Sequence, residues 1–289
     1  MSRDDPATLV STDWLAENLG APDLRILDAS WYLPTDYREP KVLFDAVHIP
    51  GARFFDIDDI SDKNSDLPHM AQPVEKFMSR LRGLGVGDGH RVVVYDGEGL
   101  FSAARVWWLF RHMGNTNIAV LDGGLPKWLA DGHATENTPP MIKDRHMTAN
   151  RSAALVRDVT QVALASKLNQ AEIVDARAAE RYRGDAPEPR EGLRAGHIPN
   201  SKNVPFKTLL NDNQTMKTAA EMKAIFTAAG VDLRRPIITT CGSGVTASVL
   251  SLALEIIGHR DHSLYDGSWS EWGSYEDLKV ETGAAPQLG

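Results

Sequence analysis

Of the 289 residues only one is a cysteine, Cys241. A single thiol cannot close an intrachain disulfide or build a multi-cysteine metal centre, so both are excluded. That thiol is either an inert core residue or the chemistry itself. Basic residues are also the minority: 31 Lys and Arg against 39 Asp and Glu leave a formal charge of −8. A broad basic footprint for nucleic acid is therefore not expected. No segment reaches the roughly 18 uninterrupted apolar residues of a membrane span. The start, Met1-Ser2-Arg3-Asp4-Asp5-Pro6, lacks the apolar core of a signal peptide and is too acidic for a transit peptide. The expectation is a cytoplasmic protein with no membrane partner, in a compartment where a free thiol stays reduced.

What is present looks globular. Hydrophobic residues make up 42% and charged residues 24%, which excludes a mainly disordered, collagen-like or rod-like chain. At about 100–200 residues per domain the length predicts two domains. The two halves also repeat one another. Ile26-Leu27-Asp28-Ala29 answers Ile173-Val174-Asp175-Ala176, and His48-Ile49-Pro50 answers His197-Ile198-Pro199. Leu84-Gly85-Val86 lies over Ala229-Gly230-Val231, and Val93-Val94-Tyr95-Asp96-Gly97-Glu98-Gly99 over Ile238-Thr239-Thr240-Cys241-Gly242-Ser243-Gly244. Leu121-Asp122-Gly123-Gly124 with Trp128 parallels Tyr265-Asp266-Gly267-Ser268 with Trp272. Five blocks in one order mark a tandem duplication.

Each half alternates strand and helix patterns, so the fold class is α/β, a mostly parallel sheet flanked by helices. Arg91 to Tyr95 and Pro236 to Thr240 are apolar runs suited to buried parallel strands. After each comes a glycine-bearing loop and a helical stripe: Ala103, Val106, Trp107 and Phe110, then Val249, Leu252, Ala253, Ile256 and Ile257. Gly114 and Gly258 stand where those helices should stop. Thr218-Ala219-Ala220-Glu221 has the form of a capping box. The polar stretch after Thr138 lacks periodicity. The expected division is 1–138 as one domain, 139–152 as linker and 153–289 as the second domain.

Function should sit where the halves differ. At matching loop positions the first half has Asp96 and the second has Cys241, so only the second can do thiol chemistry. Cys241 follows a strand and precedes Gly242-Ser243-Gly244 and a helix. Such a turn aims backbone N–H groups and a helix N-terminus at the loop centre. Glycines let the backbone close around an anion, and a thiolate is favoured there.

This loop, Cys241-Gly242-Ser243-Gly244-Val245-Thr246-Ala247, resembles that of the rhodanese family, in particular its tandem-domain 3-mercaptopyruvate sulfurtransferases. Gly196-His197-Ile198-Pro199, Phe55-Asp56-Ile57-Asp58, Val106-Trp107-Trp108 and Asp266-Gly267-Ser268-Trp269 are similar to further motifs of that group. The resemblance implies two rhodanese-like domains with the catalytic one second. It further implies transfer of sulfane sulfur through a Cys241 persulfide. The partners it implies are a small-molecule sulfur donor and a thiol acceptor; no cofactor or metal is called for. The uncharged Gly242 and Ser243 suit a donor with one carboxylate, 3-mercaptopyruvate, better than dianionic thiosulfate. Arg181 and Arg190 match the arginines that hold the substrate's carboxylate and keto group, a role that guanidinium forks suit. The competing reading pairs these arginines with Asp185 and Glu188, and Arg183 is read as structural. Gly242, Gly244, Val245 and Thr246 line the substrate loop. Ser243, His69 and Asp58 match a proposed proton relay, against which stands a reading of His69 as a surface residue and Asp58 as a turn former. His48 and His197 recur in both halves, one of which has no nucleophile, and are read as fold elements.

Other classes fit less well. Phosphatases of related fold place an arginine six residues after the cysteine, where this chain has Ala247. The loop lacks the Lys-Ser/Thr pair of a nucleotide-binding P-loop. Scattered histidines show no metal-ligand spacing. Two alternatives stay open: a thiosulfate:cyanide sulfurtransferase and a protein-to-protein sulfur-relay module. The acceptor is also open between a small thiol, thioredoxin, cyanide and a protein.

Overall fold

The computed structural model describes residues 4–284, so Met1–Arg3 of the acidic start lie outside the described residues. The chain forms two compact units, and each takes one short segment from the other's half of the sequence. The first comprises residues up to Lys63, Ala71–Ser152 and Asn211–Met216; the second comprises Asn64–Met70, Ala153–Leu210 and the chain from Lys217.

In the first unit the strands are β1 (Leu9–Val10), β2 (Leu24–Asp28), β3 (Ala52–Phe54), β4 (Arg91–Tyr95) and β5 (Ile118–Leu121). The helices are α1 (Thr12–Asn18), α2 (Pro40–Ala46), α3 (Ile57–Ile60), α4 (Val74–Gly83), α5 (Ala103–His112) and α6 (Gly124–Ala130). The second unit has β6 (Val156–Arg157), β7 (Glu172–Asp175), β8 (Lys202–Asn203), β9 (Ile237–Thr240) and β10 (His262–Tyr265). Its helices are α7 (Val159–Leu168), α8 (Ala179–Arg183), α9 (Ala219–Ala228), α10 (Ala247–Ile256) and α11 (Ser268–Trp272).

Both sheets have five strands, in the orders β1-β5-β4-β2-β3 and β6-β10-β9-β7-β8. Every ladder is parallel. The orders are the same permutation, which is the fold-level form of the sequence repeat. Parallel strands are buried on both faces and therefore read as continuous apolar runs. In β4, Val93 and Tyr95 join the cluster with Ile26, Phe44 and Trp128, and Val92 and Val94 are equally buried.

Both expected strand–helix units form. The helices exceed the expected single stripe, however. In α10 every residue from Ala247 to Glu255 is buried, and in α5 all from Ala103 to Phe110 are, Arg105 included. A helix buried all round has no polar face to mark its period, so the stripe described only part of it. Both end as expected, with Gly114 and Gly258 at φ of 83° and 84°. The capping box between Thr218 and Glu221 is present. Residues 139–152 hold no helix or strand and fall within the first unit, where their backbone bonds to Asp88, Met113 and His112. Among the described residues no helix is long and apolar enough to cross a membrane.

Candidate active site

The central strand of the second sheet, β9, ends at Thr240 and delivers Cys241 into the crevice beyond the carboxyl ends of the strands. Chain order reverses between β9 and its neighbour β7, the place where open α/β sheets bind ligands. The register sets Asp175, the last residue of β7, beside Thr240. The loops after β7 and β9 thus start side by side.

Cys241 is free and only 2% exposed. Its loop is anchored from α11. The Trp269 N–H donates to the Cys241 carbonyl at 2.9 Å, and both the N–H and Oγ of Ser270 donate to the Gly242 carbonyl, at 2.8 and 2.7 Å. Ser268 Oγ accepts from the Cys241 N–H at 3.2 Å, and Ser268 itself holds a left-handed φ of 50°. Here the Asp266-Gly267-Ser268-Trp269 motif acquires a physical role: it clamps the cysteine loop. Because a trans peptide sets its N–H opposite its C=O, carbonyls turned toward α11 send the next two amides the other way. Among the described residues, none of the amides from Gly242 to Thr246 has a hydrogen-bond partner. Gly244 takes the φ of 78° that lets the loop curl. The ten-residue α10 follows directly.

The sister loop shows what such amides do. In the first unit the Asp96 carboxylate, fully buried, accepts from Glu98 and Gly99 at 2.9 and 3.0 Å and from Phe101 and Ala103 at 2.8 Å each. In the repeat these donors correspond to Ser243, Gly244, Thr246 and Ser248. The first half therefore holds its own carboxylate in the cradle, whereas the second holds a thiol and leaves the amides of Ser243, Gly244 and Thr246 open; the Ser248 N–H donates instead to the Val245 carbonyl at 3.2 Å. Burial pushes the Asp96 carboxyl up, and the four amides pull it back.

The arginines come from the loop after β7. Arg181, in α8, lies against the cysteine loop: a β-carbon placed on Gly242 would sit 3.3 Å from its Nη2. The same nitrogen donates to Glu188 Oε2, while Arg181 Nε is buried with no partner. The Glu188 pairing weighed as a competing reading therefore exists, and it coexists with Arg181's place at the loop. Arg183 pairs with Asp185 at 2.7 Å on the surface. Arg190 is half-buried in the same 184–195 loop. Sequence reasoning missed Arg177. Its guanidinium is buried, bonded to Asp175 at 2.7 Å and Glu188 at 2.7 Å, with its face 4.3 Å from the Trp269 ring centre. The signal was available: an arginine two residues beyond an aspartate that closes a buried strand.

His69 is buried, with Nδ1 3.0 Å from Ser243 Oγ. Although it comes from the first half of the sequence, its segment Asn64–Met70 is part of the second unit. Its φ of 61° is left-handed, a conformation that a non-glycine residue holds at some cost. The pairing replaces the surface reading of His69. Asp58 belongs to the first unit, where it lies in the first turn of the short α3 and accepts from Trp31 Nε1 at 3.0 Å. His48 and His197 repeat one arrangement. Each ring Nδ1 meets the carbonyl of the aromatic residue on which it stacks, Phe44 and Tyr182 respectively, at 2.7 and 2.8 Å.

The family description "Rhodanese-like domain" matches this chain twice, over residues 11–131 and 160–275. The 3-mercaptopyruvate sulfurtransferase of Escherichia coli K12 is 43% identical over 273 residues, covering 94% of this chain and 97% of that protein. The thiosulfate sulfurtransferase of Bos taurus is 41% identical over 271 residues, covering 91% of each chain. The crystal structure of SseA from Escherichia coli superposes with a TM-score of 0.84 at 41% identity, covering 90% of this chain and 98% of that one.

Proposed function

The chain belongs to the rhodanese-like domain family, and from that premise we propose that it is a sulfurtransferase acting on 3-mercaptopyruvate through a persulfide on Cys241. The observation that carries this is the matched pair of loops. One cradle is filled by the Asp96 carboxylate and the other is open around a thiol, so only residues 153–289 hold a loop able to carry sulfur.

The Cys241 thiolate attacks the sulfur of 3-mercaptopyruvate. The Sγ–S bond forms, the carbon–sulfur bond breaks, and its electron pair leaves as the enolate of pyruvate. Arg181 and Arg190 hold the carboxylate and keto oxygen. The amides of Gly242, Gly244, Val245 and Thr246 stabilise the thiolate and then the persulfide. Ser243, hydrogen-bonded to His69, delivers the proton that turns the enolate into pyruvate. Asp58 is assigned the third place of that relay on the resemblance alone. A thiolate from outside the chain, such as thioredoxin or a small thiol, or cyanide, then takes the outer sulfur and restores the Cys241 thiolate. These steps need no cofactor. They suit a reducing compartment such as the cytoplasm, where the resting thiol is preserved.

Thiosulfate is the competing donor, and the likeness to the bovine thiosulfate enzyme supports it. Against it stand the uncharged Gly242 and Ser243 and the carboxylate of Glu188 beside Arg181, which leave little net positive charge for a dianion. Measuring kcat/KM for both donors on one sample decides. The expected preference is for 3-mercaptopyruvate by about ten-fold or more, with turnover of both abolished in Cys241→Ser. Faster use of thiosulfate overturns the choice of substrate, and sulfur transfer by the serine variant overturns the mechanism.

A further inference from the structure

The charged loop after β7 contains a residue whose position exceeds the needs of loop structure. Glu188 is almost fully withdrawn from water, its side chain 2% exposed, and it divides its two oxygens between two guanidinium groups. Oε1 accepts from Arg177 Nη1 at 2.7 Å, and Oε2 accepts from Arg181 Nη2.

The two arginines differ in kind. Arg177 has no exposed side-chain surface. It grips Asp175 through Nε at 3.0 Å and Nη2 at 2.7 Å, and Nη2 also donates to the Gly196 carbonyl at 2.8 Å. Its face packs on the ring of Trp269, the residue whose backbone N–H holds the Cys241 carbonyl. Asp175 in turn lies in register with Thr240, the residue before Cys241. Arg177 is thus fixed to the same frame as the nucleophile. Arg181 is 22% exposed and sits on the five-residue α8, so its own helix does little to hold it. A long side chain with several rotatable bonds stays in one place only if something pins it.

We propose that Glu188 is a positioning residue: it ties Arg181 to the buried Arg177–Asp175 pair and so holds the substrate-binding guanidinium at a set distance from Cys241. This rests on the role proposed above for Arg181. The bridge also explains the state of Arg181's donors. Nη2 is committed to Glu188, which fixes the plane of the guanidinium, and among the described residues Nη1 has no partner, so its hydrogens are left for substrate. The four charges, two carboxylates and two guanidiniums, cancel. The anchor therefore holds Arg181 without adding net charge to the crevice.

A double-mutant cycle separates this from a merely structural role. Glu188→Gln keeps an acceptor in place, and Arg177 retains Asp175 and Gly196, so the fold is expected to persist; a thermal melt checks this. The expected result is a KM for 3-mercaptopyruvate raised about ten-fold with kcat within about two-fold of the parent chain. Arg181→Ala should raise KM at least as much. The decisive expectation is that the double variant is no worse than Arg181→Ala alone, because Glu188 acts through Arg181. Glu188→Asp keeps the charge on a shorter arm and should fall between the parent and Glu188→Gln. It carries the same cycle if the glutamine variant does not fold. Multiplicative KM effects in the double variant, or a KM unchanged by losing Glu188 while Arg181→Ala raises it, overturn the proposal. An Arg181→Ala variant with unaltered KM overturns the role of Arg181 itself, and the proposal falls with it for that separate reason.

Discussion

Asp96 and Cys241 occupy the same turn of a duplicated fold, and the exchange of one side chain decides what each turn holds. Each Asp96 oxygen accepts two N–H groups. An ionised carboxylate is acceptor-only and suits four donors; an amide is not and does not. Asp96→Asn sets an NH2 group against donors and leaves buried amides unmatched, at a cost of about 1–3 kcal/mol. A lower urea midpoint is the expected outcome, and an unchanged midpoint would show that the cradle does not need its carboxylate. At this scale Cys241 was legible because it is single and faces an aspartate in the repeat. The roles proposed for Arg181 and Arg190 rest on family resemblance, since composition cannot tell a ligand from a surface pair. Glu188 was readable as a partner for arginine but not as a bridge. That role depends on a loop bringing positions 177, 181 and 188 together, and loop conformation has no periodic signature. The contribution of Asp96 was hidden for a related reason: the direction of an amide is set by backbone dihedrals, not by residue type.

Elements with a strong local signal were the legible ones. Arg91–Tyr95 forms a strand over the very residues expected, and the capping box at Thr218 opens α9. The edge strands β1 and β6 have two residues each, too few for any pattern to register. The histidines that join elements are instructive because the repeat exposes their purpose. His197 ties α8 to the segment that leads into β8: its Nδ1 meets the Tyr182 carbonyl and its ring stacks on Tyr182, with centres 3.8 Å apart. Burial holds its pKa below the ordinary histidine value. The sign follows from which state binds the proton first. As pH falls through about 6.5 the unfolded chain takes up a proton that folded His197 resists, so stability is full above that pH and declines below it. His197→Gln, which does not titrate, should have a lower melting temperature at neutral pH but lose less between pH 7.5 and pH 5.5. Equal losses in the two proteins would mean that this histidine does not contribute to acid sensitivity.

For the whole molecule the duplication and the single thiol have to be taken together. Two sheets with one strand order carry two loops of one design, yet only one loop can hold sulfur. The first unit takes in Asn211–Met216 and the second takes in Asn64–Met70 with His69. The compact units thus differ from the halves recognised in sequence by these two short segments, a difference that leaves no mark in local composition. The single cysteine sets a stoichiometric limit. A sulfurtransferase with a second thiol could resolve its persulfide as an internal disulfide and release sulfide; this chain has no thiol to do so. Sulfur loaded on Cys241 must wait for an acceptor from solution. With 3-mercaptopyruvate supplied and acceptor withheld, the intact chain should gain the mass of one sulfur atom and release one pyruvate in a single burst. Adding a thiol or cyanide should then remove that mass and restart pyruvate release. Two sulfur atoms on one chain would mean that the Cys241 persulfide is extended to a polysulfide, whereas steady pyruvate release without acceptor would mean that water or substrate discharges the persulfide. Either result would break the link between the lone cysteine and dependence on an outside acceptor.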